Sequence, residues 1–218
     1  MAGRRFSDRA DAGRQLADRL ARTVVAALGP VVLGLPRGGV PVAAEVAKGL
    51  RAPLDVLVIR KVGVPWQPEL AVGAVGEGGI RVVNSEIFRS TGLTEAELDG
   101  LVARAAAEVE ERVRGFRAGR AAVEVAGLDV VLVDDGIATG ATMHAAVEVV
   151  RARGALTVTV ATPVAAVQSL ERLRPVADRI VCLLEPSDLR GVGLWYRDFT
   201  QTSDSEVAEL LSKAGEAG

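Results

Sequence analysis

Five short stretches of consecutive apolar residues limit what this chain can fold into: positions 31–35, 54–59, 130–133, 156–161 and 179–184. A strand wetted on one face alternates apolar with polar. A run apolar at nearly every position, and rich in Val and Ile, reads as a strand buried on both faces. Between these runs lie helical patterns at about 40–49, 95–117, 141–153 and 164–173. Strands alternating with helices predict an α/β fold, a parallel sheet flanked by helices. Right-handed crossovers then bring the C-terminal ends of the strands to one edge, where ligands of such sheets bind.

Local signals sharpen the boundaries. Thr94 and Glu97 have capping-box spacing ahead of the long 95–117 helix. Gly154 stands where a helix-ending glycine belongs. Phe6, Leu16 and Leu20 with intervening alanines predict a leading amphipathic helix after Ser7, and the residues after Ser212 read as a frayed tail. One segment breaks the alternation. Positions 63–83 carry Gly63, Gly73, Gly76, Gly78, Gly79, Pro65 and Pro68, and read as a hairpin or flap instead of a crossover helix. At 218 residues, the expectation is a single domain over 1–218 with a flap at about 62–83.

Composition excludes several chemistries. The net charge of −2 gives no general attraction to nucleic acid or to an anionic membrane, so any basic site must be local. Cys182 is the one cysteine and His144 the one histidine, which rules out an intrachain disulfide, a cysteine-based zinc site and a histidine pair. No run of eighteen uncharged apolar residues predicts a membrane span, and positions 7–22 mix Asp and Arg with Ala and Leu, unlike a signal peptide. A cytoplasmic location is the expectation.

The most informative stretch is 130–142, VVLVDDGIATGAT. A buried strand ends in two adjacent carboxylates, Asp134 and Asp135. Gly136 and a small-residue loop follow, and Thr139-Gly140-Ala141-Thr142 opens a helix. A helix N-terminus offers unpaired N–H groups and partial positive charge to a phosphate. Gly136 and Gly140 permit close backbone approach, and the threonines add hydroxyls. The carboxylates suit sugar hydroxyls, or a magnesium ion held through water. An anion cradle beside a diol-or-metal clamp points to a sugar phosphate; a plain helix-entry turn is the structural alternative.

A second loop, 33–40 (LGLPRGGV), also joins a buried strand to a helix. It offers N–H groups and the Arg37 guanidinium to a polyanion, or is simply a tight turn with a surface arginine. Ile59-Arg60-Lys61 reads as the end of the second strand, placing two more cations at the same edge or at a solvated strand terminus. Trp195, Tyr196 and Phe199 cluster three of the seven aromatics, either as a stacking platform or as the closure of a core edge. There is no Gly-x-Ser-x-Gly elbow, no Walker A lysine, and Tyr196 stands where a dinucleotide fingerprint needs its third glycine. His144, in the first turn past the threonine loop, reads as a surface or capping side chain.

The stretch VVLVDDGIATGAT resembles the phosphoribosyl-pyrophosphate (PRPP) signature of the type I phosphoribosyltransferases, in the Asp-Asp-Gly-Ile-Ala-Thr-Gly form of an uncharacterised subgroup. The resemblance implies a Rossmann-like sheet with a flexible flap and a small hood at about 185–202 plus the N-terminal segment. It implies that Asp134 and Asp135 bind the ribose hydroxyls and that the loop from Ala138 through Thr139, Gly140, Ala141 and Thr142 binds the 5-phosphate. Arg37-Gly38-Gly39 is similar to the family's pyrophosphate loop, which often holds a non-proline cis peptide. Arg60 and Lys61 would neutralise the leaving group, and Trp195 and Tyr196 would face the acceptor base. Magnesium, a homodimer and PRPP with a nitrogen acceptor are implied as cofactor, assembly and substrates. For a general base, Glu69 and Asp198 are the candidates. The competing reading is a PRPP- or nucleotide-binding regulatory module.

Overall fold

The computed structural model describes residues 5–23 and 29–216. In chain order the elements are α1 (Arg9–Ala21), β1 (Val31–Gly34), α2 (Gly39–Leu50), β2 (Leu54–Val56), β3 (Ile59–Val64), β4 (Gln67–Gly76), β5 (Arg81–Val83), α3 (Ser85–Thr91), α4 (Glu95–Arg117), β6 (Asp129–Val133), α5 (Ala141–Ala152), β7 (Thr157–Val164), α6 (Val167–Leu173), β8 (Arg179–Leu184) and α7 (Asp204–Glu216).

β1, β2, β6, β7 and β8 pair in parallel in the order β2-β1-β6-β7-β8. Burial explains why their sequences are apolar at consecutive positions. Val31, Leu33, Val130 and Leu132 pack on one face with Met143, Val147 and Val150 of α5 and Leu170 and Leu173 of α6. Val32, Val131 and Val133 pack on the other with α1, α2, α7 and the end of α4. The period of two is intact, but both phases are buried.

Two neighbouring strands part company here. From β1 the chain crosses to β2 on one side; from β6 it crosses to β7 on the other. The loops leaving the C-terminal ends of β1 and β6 therefore diverge over a crevice, the switch point at which such sheets bind ligands.

The flap is more structured than a hairpin. β3, β4 and β5 form a separate antiparallel sheet in that order. Its Val62, Val64, Val72 and Val75 bury against Leu98 and Ala105 of α4. This corrects the placement of Arg60 and Lys61. β2 ends at Val56, and both residues belong to β3 in the flap sheet. The apolar run continues through buried Leu57 and Val58 while the chain passes from one sheet to the other, so hydrophobicity alone carries no mark of the switch.

Other boundaries follow capping chemistry. Thr94 and Glu97 form a reciprocal capping box at the start of α4. Gly154 takes the left-handed conformation just past α5. The leading helix is present as α1, and Leu16 and Leu20 are buried. Of the expected frayed tail, residues 213–216 are helical, in α7, whose Val207 and Leu211 enter the main core; α6 starts later than expected because β7 runs on through Val164. Thr94→Ala should cost about 1 kcal/mol by removing one cap, read as a lower urea midpoint at unchanged slope. An unchanged midpoint would show that the cap contributes nothing.

Candidate active site at the switch point

The two diverging loops touch. Beyond the strand ends, Leu35 N donates to Val133 O at 2.9 Å and Leu57 N to Gly34 O at 3.0 Å, so the β1 loop is pinned against both neighbours. The peptide bond between Pro36 and Arg37 is cis, at the leading edge of the tripeptide where the sequence resemblance expects one. The two glycines that follow are needed for space. A Cβ on Gly38 would lie 2.0 Å from Asp135 Oδ2, and one on Gly39 2.6 Å from Val133 O and 2.9 Å from Asp134 Cα. The β1 loop thus lies directly on the acidic tip of β6, closer than any side chain permits.

From that tip, Asp134 N donates to Ala161 O at 3.3 Å, and Asp134 Oδ1 accepts from Asp135 N at 2.9 Å. Asp134 Oδ2 has no hydrogen-bond partner among the described residues. Asp135 is held more firmly: its Oδ2 accepts from Arg9 Nε at 2.8 Å, and its carbonyl accepts from the Tyr196 hydroxyl at 2.6 Å. Burial, then the charge of Asp135, pushes the Asp134 carboxyl well above the usual carboxylate range. Burial also raises Asp135, against the opposing pull of Arg9.

The next residues are anchored to β7 and α6. Ile137 N donates to Val164 O at 2.9 Å, Ala166 N to Ile137 O at 3.0 Å, and Ser169 Oγ to Ala138 O at 2.6 Å. Gly140 takes φ +79° as the N-cap of α5, a conformation that favours glycine. The amides of Ala138, Thr139, Gly140, Thr142 and Met143 donate to no acceptor among the described residues. Ala141 N reaches only Thr139 Oγ1, at 3.5 Å. A loop tied down through its carbonyls, with its amides unused, is prepared for an anion.

Two of the sequence-predicted cations have partners of their own. The Arg37 guanidinium is 3.7 Å from Asp204 at the start of α7. Arg60 pairs with Glu108 of α4 at 2.7 Å. Lys61 lines a cavity of about 250 Å³ between the flap sheet and α5, with Asn84, Ala141, His144 and Glu148. Neither Asp134 nor Asp135 lines that cavity. His144 Nδ1 lies 3.4 Å from Glu148 Oε2 on a half-exposed helix face.

The hood corrects two expectations. Tyr196 is buried to 3% exposure between Phe6 and Phe199, with ring centroids at 5.4 and 5.0 Å. Its two ring neighbours are protein side chains, so it closes a core edge and is not a free stacking surface. Trp195 is half-buried beside it and accepts from Phe6 N through its carbonyl. Asp198 caps its own turn: Oδ1 accepts from Thr200 N at 2.9 Å and Thr200 Oγ1 at 2.7 Å. Those bonds hold its carboxyl below the usual range, the wrong direction for a general base. The side chain of Glu69 is outside the described residues. Cys182 donates to Leu184 O, and burial pushes its thiol up to about 12, so it is no nucleophile near neutral pH.

Arg9 is the site residue that sequence reasoning misses. It is one of twenty-three arginines and reaches Asp135 across 126 positions. No local pattern marks it.

Among the described residues no group of three or more His, Cys, Asp or Glu side chains forms a metal site. The donor set at the crevice is the acidic pair alone. That suits magnesium as an ion that keeps its waters and is shared with substrate phosphates, not one caged by protein.

Comparison with known proteins bears on the family and the fold. The model of the phosphoribosyl transferase domain matches residues 7–195. The Mycobacterium tuberculosis H37Rv protein Rv0571c, which carries a provisional phosphoribosyl transferase name, is 53% identical over 209 residues. The match covers 96% of this chain and 47% of that protein, so the chain spans about half the length of the curated relatives it matches. The crystal structure of TT1426 from Thermus thermophilus superposes with a TM-score of 0.88 at 45% identity, covering 96% of this chain and 98% of the other. AQ2163 from Aquifex aeolicus shares the fold at 14% identity, with a TM-score of 0.50 over 93% of this chain and 84% of its own. With the family's domain model spanning the sheet, the acidic tip and the amide loop alike, the chain belongs to the phosphoribosyl transferase family.

Proposed function

We propose that this chain is a magnesium-dependent phosphoribosyltransferase that moves the 5-phosphoribosyl group of PRPP to a nitrogen acceptor, a nucleobase, with release of pyrophosphate. One observation carries the reading: at the switch point, two adjacent carboxylates lie between a glycine loop packed onto them and a set of unused amides. The amides from Ala138 to Met143 receive the 5-phosphate. Asp134, through its unpartnered oxygen, and Asp135 receive the ribose hydroxyls. The Arg37-Gly38-Gly39 backbone borders the pyrophosphate. The acidic pair would hold magnesium through water, and the bound ion would supply charge neutralisation for the leaving group.

In the transfer the bond from ribose C1 to the pyrophosphate oxygen breaks, and its electron pair leaves with pyrophosphate. The acceptor nitrogen supplies the pair for the new C1–N bond, and its proton passes to solvent. The protein's contribution is position and charge placement about a cation-like C1. A wet site would let water capture that carbon, so excluding water over the crevice is the part assigned to the flap.

The test is thermal protection by PRPP with magnesium. Binding to the folded state alone stabilises it by mass action, about 2.7 kcal/mol at a hundredfold excess over Kd, and so raises Tm. The Asp134→Asn/Asp135→Asn double variant should lose that protection; undiminished protection would reject the assignment of the pair. Labelled PRPP incubated with a panel of bases then reads pyrophosphate release. The second reading, a binding module without transfer, draws on the ion pairs that turn Arg37 and Arg60 to Asp204 and Glu108. Protection without pyrophosphate release would favour it. A homodimer and a cytoplasmic location accompany the main reading, and light scattering tests the first.

A further inference from the structure

We infer that Arg9 is a positioning residue for the donor site: it fixes the Asp135 carboxylate and ties the hood to it. The inference rests on the PRPP reading above. Its basis is geometric. The Arg9 side chain leaves the first turn of α1 and is 12% exposed; the Asp135 side chain it meets is 14% exposed. Nε donates to Asp135 Oδ2 at 2.8 Å, Nη1 donates to Thr200 O at 2.7 Å, and the guanidinium carbon lies 3.9 Å above the Phe199 ring. One planar group is thus held by a carboxylate, a carbonyl and an aromatic face, which a lysine does not reproduce.

The consequence follows from charge. Asp134 and Asp135 are consecutive at the tip of β6, and the glycine loop lies on both, Gly38 against the Asp135 carboxylate and Gly39 against Asp134. Left alone, they repel each other, and both repel a substrate carrying several phosphate charges. Arg9 sets one positive charge against the pair. It also takes Oδ2 of Asp135, so the carboxylate is restrained from turning and Oδ1 is the oxygen offered to a ribose hydroxyl. Gly38 packs against the same Oδ2, where a Cβ would lie 2.0 Å away, and the Asp135 carbonyl accepts from Tyr196. Without Arg9 the carboxylate keeps its place in the chain but loses its direction. Because Thr200 and Phe199 hold the same guanidinium, the hood and the ribose clamp are set together.

A double-mutant cycle tests this. PRPP dissociation constants, with magnesium present, are measured by calorimetry for wild type, Arg9→Met, Asp135→Asn and the double variant. Arg9→Met should weaken PRPP about tenfold, in line with lost pre-organisation, and raise KM for PRPP with kcat at saturation little changed. The double variant should bind no more weakly than Asp135→Asn alone, because Arg9 acts through that carboxylate. Arg9→Lys keeps the charge without the fork, so it should recover part of the affinity; it also serves if Arg9→Met does not fold. Losses that multiply in the double variant, or a kcat decrease with unchanged KM, would overturn the positioning role while PRPP binding stands. A wild type that binds no PRPP at all would remove the donor reading and this inference with it.

Discussion

For the proposed phosphoribosyl transfer, Gly39→Ala is expected to lower kcat/KM by about 100-fold, the scale of loss from a misplacement near 1 Å. The new methyl would sit 2.6 Å from Val133 O and 2.9 Å from Asp134 Cα. Both are backbone atoms, so no side-chain rotation relieves the contact. Either α2 backs away from the β6 tip or the tip tilts. In both cases the glycine loop and the acidic pair separate, and their spacing is what the site depends on. The expected stability cost is smaller, about 1–3 kcal/mol for overpacking. Steady-state kinetics beside a urea melt separates the two. Full activity in a folded Gly39→Ala protein would mean that the loop and the tip need not touch.

The second large effect lies away from the site. Arg117, at the end of α4, donates from Nε to both Asp55 oxygens at 2.9 and 3.1 Å, and its Nη1 lies 2.7 Å from Glu77 Oε2. Its Nη2 also reaches Val56 O at 3.2 Å. All three side chains are nearly inaccessible, at 6–8%. Asp55 is on β2 of the main sheet, and Glu77 follows the last residue of β4 in the flap sheet. One guanidinium therefore joins both sheets to the long helix. Arg117→Met leaves two carboxylates buried without their cation and should cost about 3–5 kcal/mol.

The pH dependence of that loss has a definite sign. Burial raises the Glu77 carboxyl above its ordinary value of 4.5, and Arg117 opposes this. A carboxyl raised in the folded state binds its proton more tightly there than in the unfolded chain. Its contribution is therefore fully present at low pH and declines as pH climbs from 4.5 through the raised value. Removing Arg117 takes away the opposing influence and widens the window. The gap between wild type and variant, read from urea melts, should be narrower at about pH 5 than at about pH 8. An equal gap at both pH values would mean that Glu77 stays ionised without its partner.

Much of the architecture is legible in the residues because both faces of the sheet are dry. Val31–Gly34 and Asp129–Val133 can be little else than internal strands. The PRPP-like stretch is legible for a related reason: its chemistry is local, thirteen residues running from strand through turn to helix. What escapes is non-local. Arg60 and Lys61 look like a strand end because Leu57 and Val58 keep the run apolar through the change of sheet. Tyr196 looks like a stacking surface because its neighbour Phe6 lies at the far end of the chain, and only the folded protein makes that pair. Arg9 carries no sequence mark, since its partners Asp135, Phe199 and Thr200 come from distant elements.

The grip of Arg9 on Thr200 spans 191 positions, and this orders events during synthesis. At about 5–20 residues per second, roughly 10–40 s separate the two partners' emergence from the ribosome. The nascent chain can finish its sheet, its glycine loop and its amide loop well before residue 200 exists. Throughout that interval the guanidinium lacks two of its three anchors, and Asp135 alone can hold it.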